Sequence, residues 1–178
     1  ARQLLGGPRL LLLDEPFSNL DGFHRDQLWD VLEEMQQQLD CTCILVSHDP
    51  ADSLAWAGDI IVLQEGRLVQ RGSPTEIYHH PVNRYVARLF GKYNLFSTPL
   101  GRRLVRPEHL EPLTGAHDAG LEAILRQAYF LGSAYEWVLQ HGEEKILLRT
   151  GMAPPPTGSR VLLGIKSSAP RSVVSDQF

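Results

Sequence analysis

A run of four leucines closed by two acids, Leu10-Leu11-Leu12-Leu13-Asp14-Glu15, constrains the fold of this chain more than any other segment. A continuous apolar run without polar alternation predicts a strand covered on both faces, as in a parallel α/β sheet. The two carboxylates then stand at the C-terminal end of that strand, the edge where open α/β sheets place their chemistry. Adjacent acids repel one another unless a cation or a reacting water occupies the gap. One of the pair suits a Mg²⁺ shell, and the other suits accepting a proton from an attacking water. The pattern points to hydrolysis of a nucleoside triphosphate. A plainer role stays open at this level, in which the acids start a loop or cap the next helix.

Bulk properties narrow the classes. A chain of 178 residues can build one good core or two small ones. Its formal net charge of −4 lacks the basic footprint of a nucleic-acid binder. No apolar stretch approaches the roughly 20 residues that span a bilayer, and no basic-then-apolar leader is present. Cys41 and Cys43, the two cysteines, lie two apart on a predicted strand and share one face, a poor geometry for a mutual disulfide. Buried free thiols in a reducing cytosol are expected. Ala1 to Leu5 reads as the tail of a helix stopped by Gly6-Gly7-Pro8, so the expectation is the C-terminal piece of a longer protein.

Periodicity organises the rest. Leu28, Leu32, Met35 and Leu39 recur at helical spacing and predict an amphipathic helix from about Phe23 to Leu39. Cys41 to Val46 predicts a second buried strand, ending at Ser47-His48-Asp49-Pro50, where Asp49 suits an N-cap and Pro50 the first helical position. Ile60 to Leu63 and Arg67 to Val69 flank Glu65-Gly66 and predict an antiparallel hairpin. Ser73-Pro74-Thr75-Glu76 is a capping box, and a further helix is expected from about Val82 to Phe90. From Asn94 onward short strands alternate with Gly, Pro and Ser clusters, which predicts a small antiparallel barrel or sandwich. The domain boundary is placed near residues 91 to 97. Arg102, Arg103 and Arg106 are expected on a solvated strand face, His79-His80 on the surface, and the three tryptophans in packing.

His48 is the second chemical signal. It follows its strand just as the acids follow theirs, so parallel neighbours would open both ends onto one edge. With these residues in place, Leu10 to Pro16 resembles the Walker B segment of ABC-type ATPases. Ser18-Asn19-Leu20-Asp21 resembles their D-loop, and Ser47-His48-Asp49 their switch-histidine loop. Asp59 to Tyr78 resembles the hairpin and helix that end such a domain, and Ala1-Arg2-Gln3-Leu4 fits the helix after their signature sequence. The resemblance implies that Asp14 orients the Mg²⁺ shell through water, Glu15 is the general base, and His48 contacts the γ-phosphate. It implies further that Asp21 signals to the opposite site of a dimer and that Ser18 and Asn19 shape that contact.

Residues 94–178 extend it. Leu104 to Leu110, with Arg106-Pro107-Glu108, resembles a strand of the TOBE domain, an oligonucleotide-barrel relative. Tyr129 to Ser133 resembles another strand end of that domain. The expected architecture is a partial α/β P-loop NTPase (ABC ATPase) domain over 1–93, followed by a small all-β OB-like (TOBE) domain over 94–178. The resemblance implies ATP and Mg²⁺ as ligands and a second copy of the subunit, permease subunits and, indirectly, a solute-binding protein as partners. Nucleic acid is not among them. It implies a cytoplasmic place on the inner face of the membrane and a solute that is ferric iron or a polyamine ahead of sugar or oxyanion. No G-x-x-x-x-G-K-[ST] occurs in the 178 residues. Without its phosphate-cradling N–H groups the chain alone is expected to be inactive. A regulatory or dimerisation module and a soluble non-transport ABC protein are the alternatives.

Overall fold

The computed structural model describes residues 9–18, 20–39, 41–98, 101–113, 120–170 and 172–174. The helix tail expected at Ala1 to Leu5, its Gly6-Gly7-Pro8 stop and Asn19 lie outside these residues. Two compact units make up the chain, one ending at Ala57 and the other starting at Gly58.

In the first unit β1 (Leu10–Asp14) pairs in parallel with β2 (Thr42–Val46), and Asp14 stands opposite Val46. Parallel strands need a crossover of a dozen or more residues, and α1 (Gly22–Leu39) provides it. α2 (Pro50–Trp56) follows β2 with Pro50 in its first turn and Asp49 as its cap, the carboxylate accepting from the Ala51 N–H. The expectation that both strands are covered on two faces is corrected. Leu10, Leu12, Ile44 and Val46 are exposed, Leu12 by 66%. Leu11, Leu13, Cys43 and Leu45 on the other face are half-buried. An apolar run reports what a strand is able to bury, and the described residues of this two-stranded sheet screen one side of it. Phe17 and Leu32 are buried here, and Trp29 lies against both Phe17 (ring centroids 4.1 Å apart) and Trp56 (5.5 Å). Both cysteines are free thiols, Cys41 buried and Cys43 half-buried.

The second unit opens on an antiparallel hairpin of β3 (Ile60–Gln64) and β4 (Arg67–Gly72). Glu65 and Gly66 both have positive φ, 51° and 75°, the backbone of a two-residue hairpin turn. The capping box holds as expected at α3 (Pro74–His79), where Ser73 and Glu76 each satisfy the other's backbone N–H. Asn83 caps α4 (Arg84–Leu89). The strands that follow are β5 (Asn94–Thr98), β6 (Gly101–Val105), β7 (Leu110–Leu113), β8 (Leu121–Phe130), β9 (Tyr135–His141), β10 (Glu144–Thr150), β11 (Arg160–Ile165) and β12 (Ser172–Val174). They form two antiparallel sheets, β10-β9-β8-β11-β7 and β12-β6-β5. Alternate residues face one core, among them Leu125 on β8, Trp137 and Leu139 on β9, Ile146 and Leu148 on β10, and Leu163 on β11. A register shift between Leu125 and Gln127 bends β8, as small barrels require. Asn94 joins the sheets. Its side-chain amide accepts from the Leu147 N–H and donates to the Leu147 carbonyl, both at 2.8 Å, pairing the edge of β10 as a backbone would.

Two surface expectations fail in this unit. Arg106 is not on a solvated face: it is 1% exposed. The segment Arg106-Pro107-Glu108 is not strand but the bend between β6 and β7, with a 3₁₀ turn over Pro107–His109. From there the guanidinium donates to the carbonyls of Tyr78, Ala87, Gly91 and Lys92, the ends of α3 and α4, and lies 4.3 Å from the Tyr78 ring centroid. Helix C-termini carry orphan carbonyls, and one buried fork satisfies two sets of them. His79 is half-buried and stacks on His109 at 5.5 Å, while His80 is exposed.

Candidate active site

The parallel ladder decides where the chemistry sits. Because Asp14 pairs with Val46, the chain leaves both strands at one level, and the Glu15 N–H extends the ladder to the Val46 carbonyl at 2.9 Å. Glu15 and His48 therefore emerge together. The His48 Nδ1 lies 2.7 Å from the Glu15 Oε2. That hydrogen bond, then the carboxylate's charge, holds the His48 imidazolium above the ordinary histidine range. The imidazole is 78% exposed and the carboxylate 34%, so the pair stands at an open rim. Asp14, the last residue of β1, is exposed beside them.

Glu15 carries a backbone feature that composition does not announce. Its φ is 48°, the left-handed region that a residue with a Cβ enters at a cost of about 1–2 kcal/mol. Pro16 contributes by disfavouring the right-handed helical region for the residue before it. The turn is then held from beyond: the Ser18 N–H and Oγ both donate to the Glu15 carbonyl, at 3.2 and 2.9 Å, and Phe17 is 2% exposed. Strain of this kind, over-determined by its surroundings, collects at functional sites.

Ser18 and Asp21 do not join the Glu15–His48 contact. Ser18 closes the turn. Asp21 caps α1, its Oδ1 accepting from the His24 N–H at 2.9 Å and lying 2.8 Å from the His24 Nδ1. The backbone bond from His24, followed by the ring contact, draws the Asp21 carboxyl below the usual range. Reasoning from the sequence missed Arg25 and Asp52, which sit in the first turns of α1 and α2 with the Arg25 Nη1 3.4 Å from the Asp52 Oδ1. Arg25 is four residues after Asp21 and Asp52 four after His48, but no helical period relates two different helices.

The donor set fits the expected ligands in part. Mg²⁺ at nucleotide sites takes one or two carboxylates, several waters and phosphate oxygens, and an exposed Asp14 beside Glu15 suits that role. Among the described residues no cluster of three or more His, Cys, Asp or Glu is placed to hold a metal alone.

Residues 104–171 match the TOBE domain family. The chain is 32% identical over 189 residues to the Fe(3+) ions import ATP-binding protein FbpC of Escherichia coli (strain K12), across 93% of this chain and 54% of that protein. The chain is homologous to ABC importer ATP-binding subunits. It is also 50% identical over 94 residues to the glucose import ATP-binding protein GlcV of Saccharolobus solfataricus, covering 53% of this chain and 27% of that one. With the putrescine transport ATP-binding protein PotG of Escherichia coli (strain K12) it shares 40% identity over 103 residues, across 58% of the chain and 27% of that protein. The chain spans about half the length of the Fe(3+) relative and about a quarter of the other two. No helix among the described residues is long and apolar enough to cross a membrane.

Proposed function

We propose that this chain provides the water-activating half of an ATP hydrolysis site in the ATP-binding subunit of an ABC importer. One observation carries the reading: β1 and β2, paired in parallel, bring Glu15 and His48 to 2.7 Å at one sheet edge. Bound ATP and Mg²⁺ would supply the phosphoryl electrophile and neutralise its developing charge. Asp14 would hold the metal, through water, at the end of β1. Glu15 accepts the proton of the attacking water, and a carboxylate engaged at Oε2 keeps further acceptor sites for it. His48, its proton favoured by Glu15 and its Nδ1 turned to it, presents Nε2 to a phosphate oxygen. Ser18 and Asp21 serve the contact with a second subunit, and permease subunits couple the cycle to uptake. Residues 1–93 are the ATPase portion and 94–178 the OB-like domain in this reading, and the protein works on the cytoplasmic face of the membrane.

The exposed face formed by Leu10, Leu12, Ile44 and Val46 supports a larger α/β domain around this strand pair, since such a stripe is buried in parallel sheets. For the solute, ferric iron stands ahead of polyamine. The relatives aligned over 83–93% of the chain are Fe(3+) import proteins. The glucose and polyamine relatives align over 53–70%. A regulatory or dimerisation module without catalysis is favoured by one feature: the second unit has a fully buried core at Leu139 and Leu148, whereas the strand pair of the first unit is half-exposed.

The test is mutational. In the parent subunit Glu15→Gln is expected to lower ATP turnover at least about a hundredfold while ATP still binds. Unchanged turnover overturns the reading. The chain alone is expected to show no Mg-ATP turnover.

A further inference from the structure

His48 is mostly exposed, so packing does not set the position of its ring; the backbone on either side does. Both neighbours are tied into one network. On one side the Ser47 Oγ donates to the Asp52 Oδ2 at 2.8 Å and accepts from the Asp49 N–H at 3.0 Å. On the other side Asp49 takes the Arg25 Nη1 on Oδ2 at 3.0 Å and the Ala51 N–H on Oδ1 at 2.9 Å. The same Arg25 Nη1 lies 3.4 Å from the Asp52 Oδ1. Asp52 is 3% exposed, a buried carboxylate whose charge is offset by Arg25 and whose lone pairs are engaged by Ser47. The Ala51 bond and then the Arg25 guanidinium hold the Asp49 carboxyl below its usual range, in keeping with a charged pair.

Arg25 also has a second attachment. Its backbone N–H donates to the Asp21 carbonyl at 2.9 Å, the first closed turn of α1. The side chain therefore reaches the His48 loop from the same turn that Asp21 caps. A guanidinium bonded to one carboxylate and close to another has little freedom to let either slide.

We infer that Arg25 and Asp52 are positioning residues for His48: their part-buried ion pair fixes Ser47 and Asp49 on either side of the imidazole, sets its contact with Glu15, and makes the Asp21 turn and the His48 loop move as one body. The functional meaning rests on the hydrolytic reading of Glu15 and His48; the positioning itself does not. Charge is not transferred through the network. Arg25 acts on the reaction through the place it gives His48.

The experiment uses the 178-residue chain labelled with ¹⁵N and reads the ring nitrogens of His48 by long-range ¹⁵N–¹H correlation at neutral pH. Glu15→Ala, which removes the carboxylate and its hydrogen bond to the ring, defines the released ring. Arg25→Gln is expected to move the His48 ring signals at least halfway to that state, with the amides of Val138 and Leu139 in the second unit unmoved. Arg25→Lys is expected to recover part of the shift, because an ammonium still pairs with one carboxylate. A purely structural role would alter unfolding without this ring signature or its rescue. Where Arg25→Gln unfolds the first unit, Ser47→Ala, which removes a single hydroxyl, decides: a shift in the same direction supports the network. His48 signals unmoved in the folded variants overturn it. These spectra need no ATP, so loss of the hydrolytic reading through active parental Glu15→Gln would leave this result standing, and the converse holds.

Discussion

Glu15 combines three properties that seldom meet in one residue: a left-handed backbone, a position at the end of a ladder, and a carboxylate bonded to an imidazole. The first is separable by mutation. Glu15→Ala and Glu15→Gly both delete the carboxylate, yet only glycine relieves the φ of 48°. Glu15→Gly is expected to be more stable than Glu15→Ala by about 1 kcal/mol, read from urea unfolding of the first unit. The second consequence concerns His48. Its folded pKa is raised by Glu15, so the contact stabilises the chain fully below the unfolded value near 6.5 and fades as pH rises through the folded value. An NMR titration is expected to find His48 above the ordinary range and Glu15→Gln back within it. The place of Glu15 after an apolar strand, from which its proposed role as base is read, was legible in the sequence. Its strained backbone was not, because left-handed φ is imposed by the turn that Ser18 closes on the Glu15 carbonyl rather than by the type of residue 15.

At the scale of elements, the bend at Arg106 has the largest energetic stake. Four backbone carbonyls, two in the last turns of α3 and α4 and two in the segment that follows α4, depend on one buried guanidinium. Arg106→Met keeps much of the volume and removes the donors. The expected cost is about 3 kcal/mol or more, since each buried carbonyl left unpaired costs about 1–3 kcal/mol. Differential scanning calorimetry checks it, and a change within ±0.5 kcal/mol would refute the role. The same junction predicts a pH response. Burial, then the positive groups nearby, lowers His79, and burial lowers His109. Arg106 and Lys166 face this pair as cations, Glu108 as an anion bonded to Tyr78, whose own pKa is pushed up to about 12 by burial and that bond. Groups with depressed histidine values bind protons more readily when unfolded, so stability is full above about 6.5 and falls as pH drops through the unfolded value. The double variant His79→Gln, His109→Gln is expected to flatten that limb, followed through the Trp137 indole signal. Periodicity had found both helices and most strands here. It missed β5, a short strand paired with its neighbour β6, and also β7 and β12, which carry a proline or have three residues and pair with strands distant in sequence.

For the whole molecule the decisive contrast lies within each unit. The second buries a continuous core built from residues of six strands, β6 to β11, whereas the strand pair of the first leaves one apolar face open. Leu12→Lys, on that open face, is expected to change the thermal stability of this chain by less than about 0.5 kcal/mol, as surface substitutions do. In a parent subunit with a complete sheet it is expected to cost several kcal/mol, because a charge would then be buried unpaired. Equal effects in both would show that the face stays open in the parent. What the sequence determined by itself was local: the strand and helix periods, the caps at Asp49 and Ser73, the acids at one strand end and the histidine at the next. These depend on interactions among near neighbours, which residue types encode directly. Only the tertiary structure decided that Arg106 is buried and that Arg25 on α1 meets Asp52 on α2. It also decided that Leu10 and Leu12 lie open. Burial and ion pairing between segments are set by what the rest of the chain brings to the same place, and no local pattern carries that information.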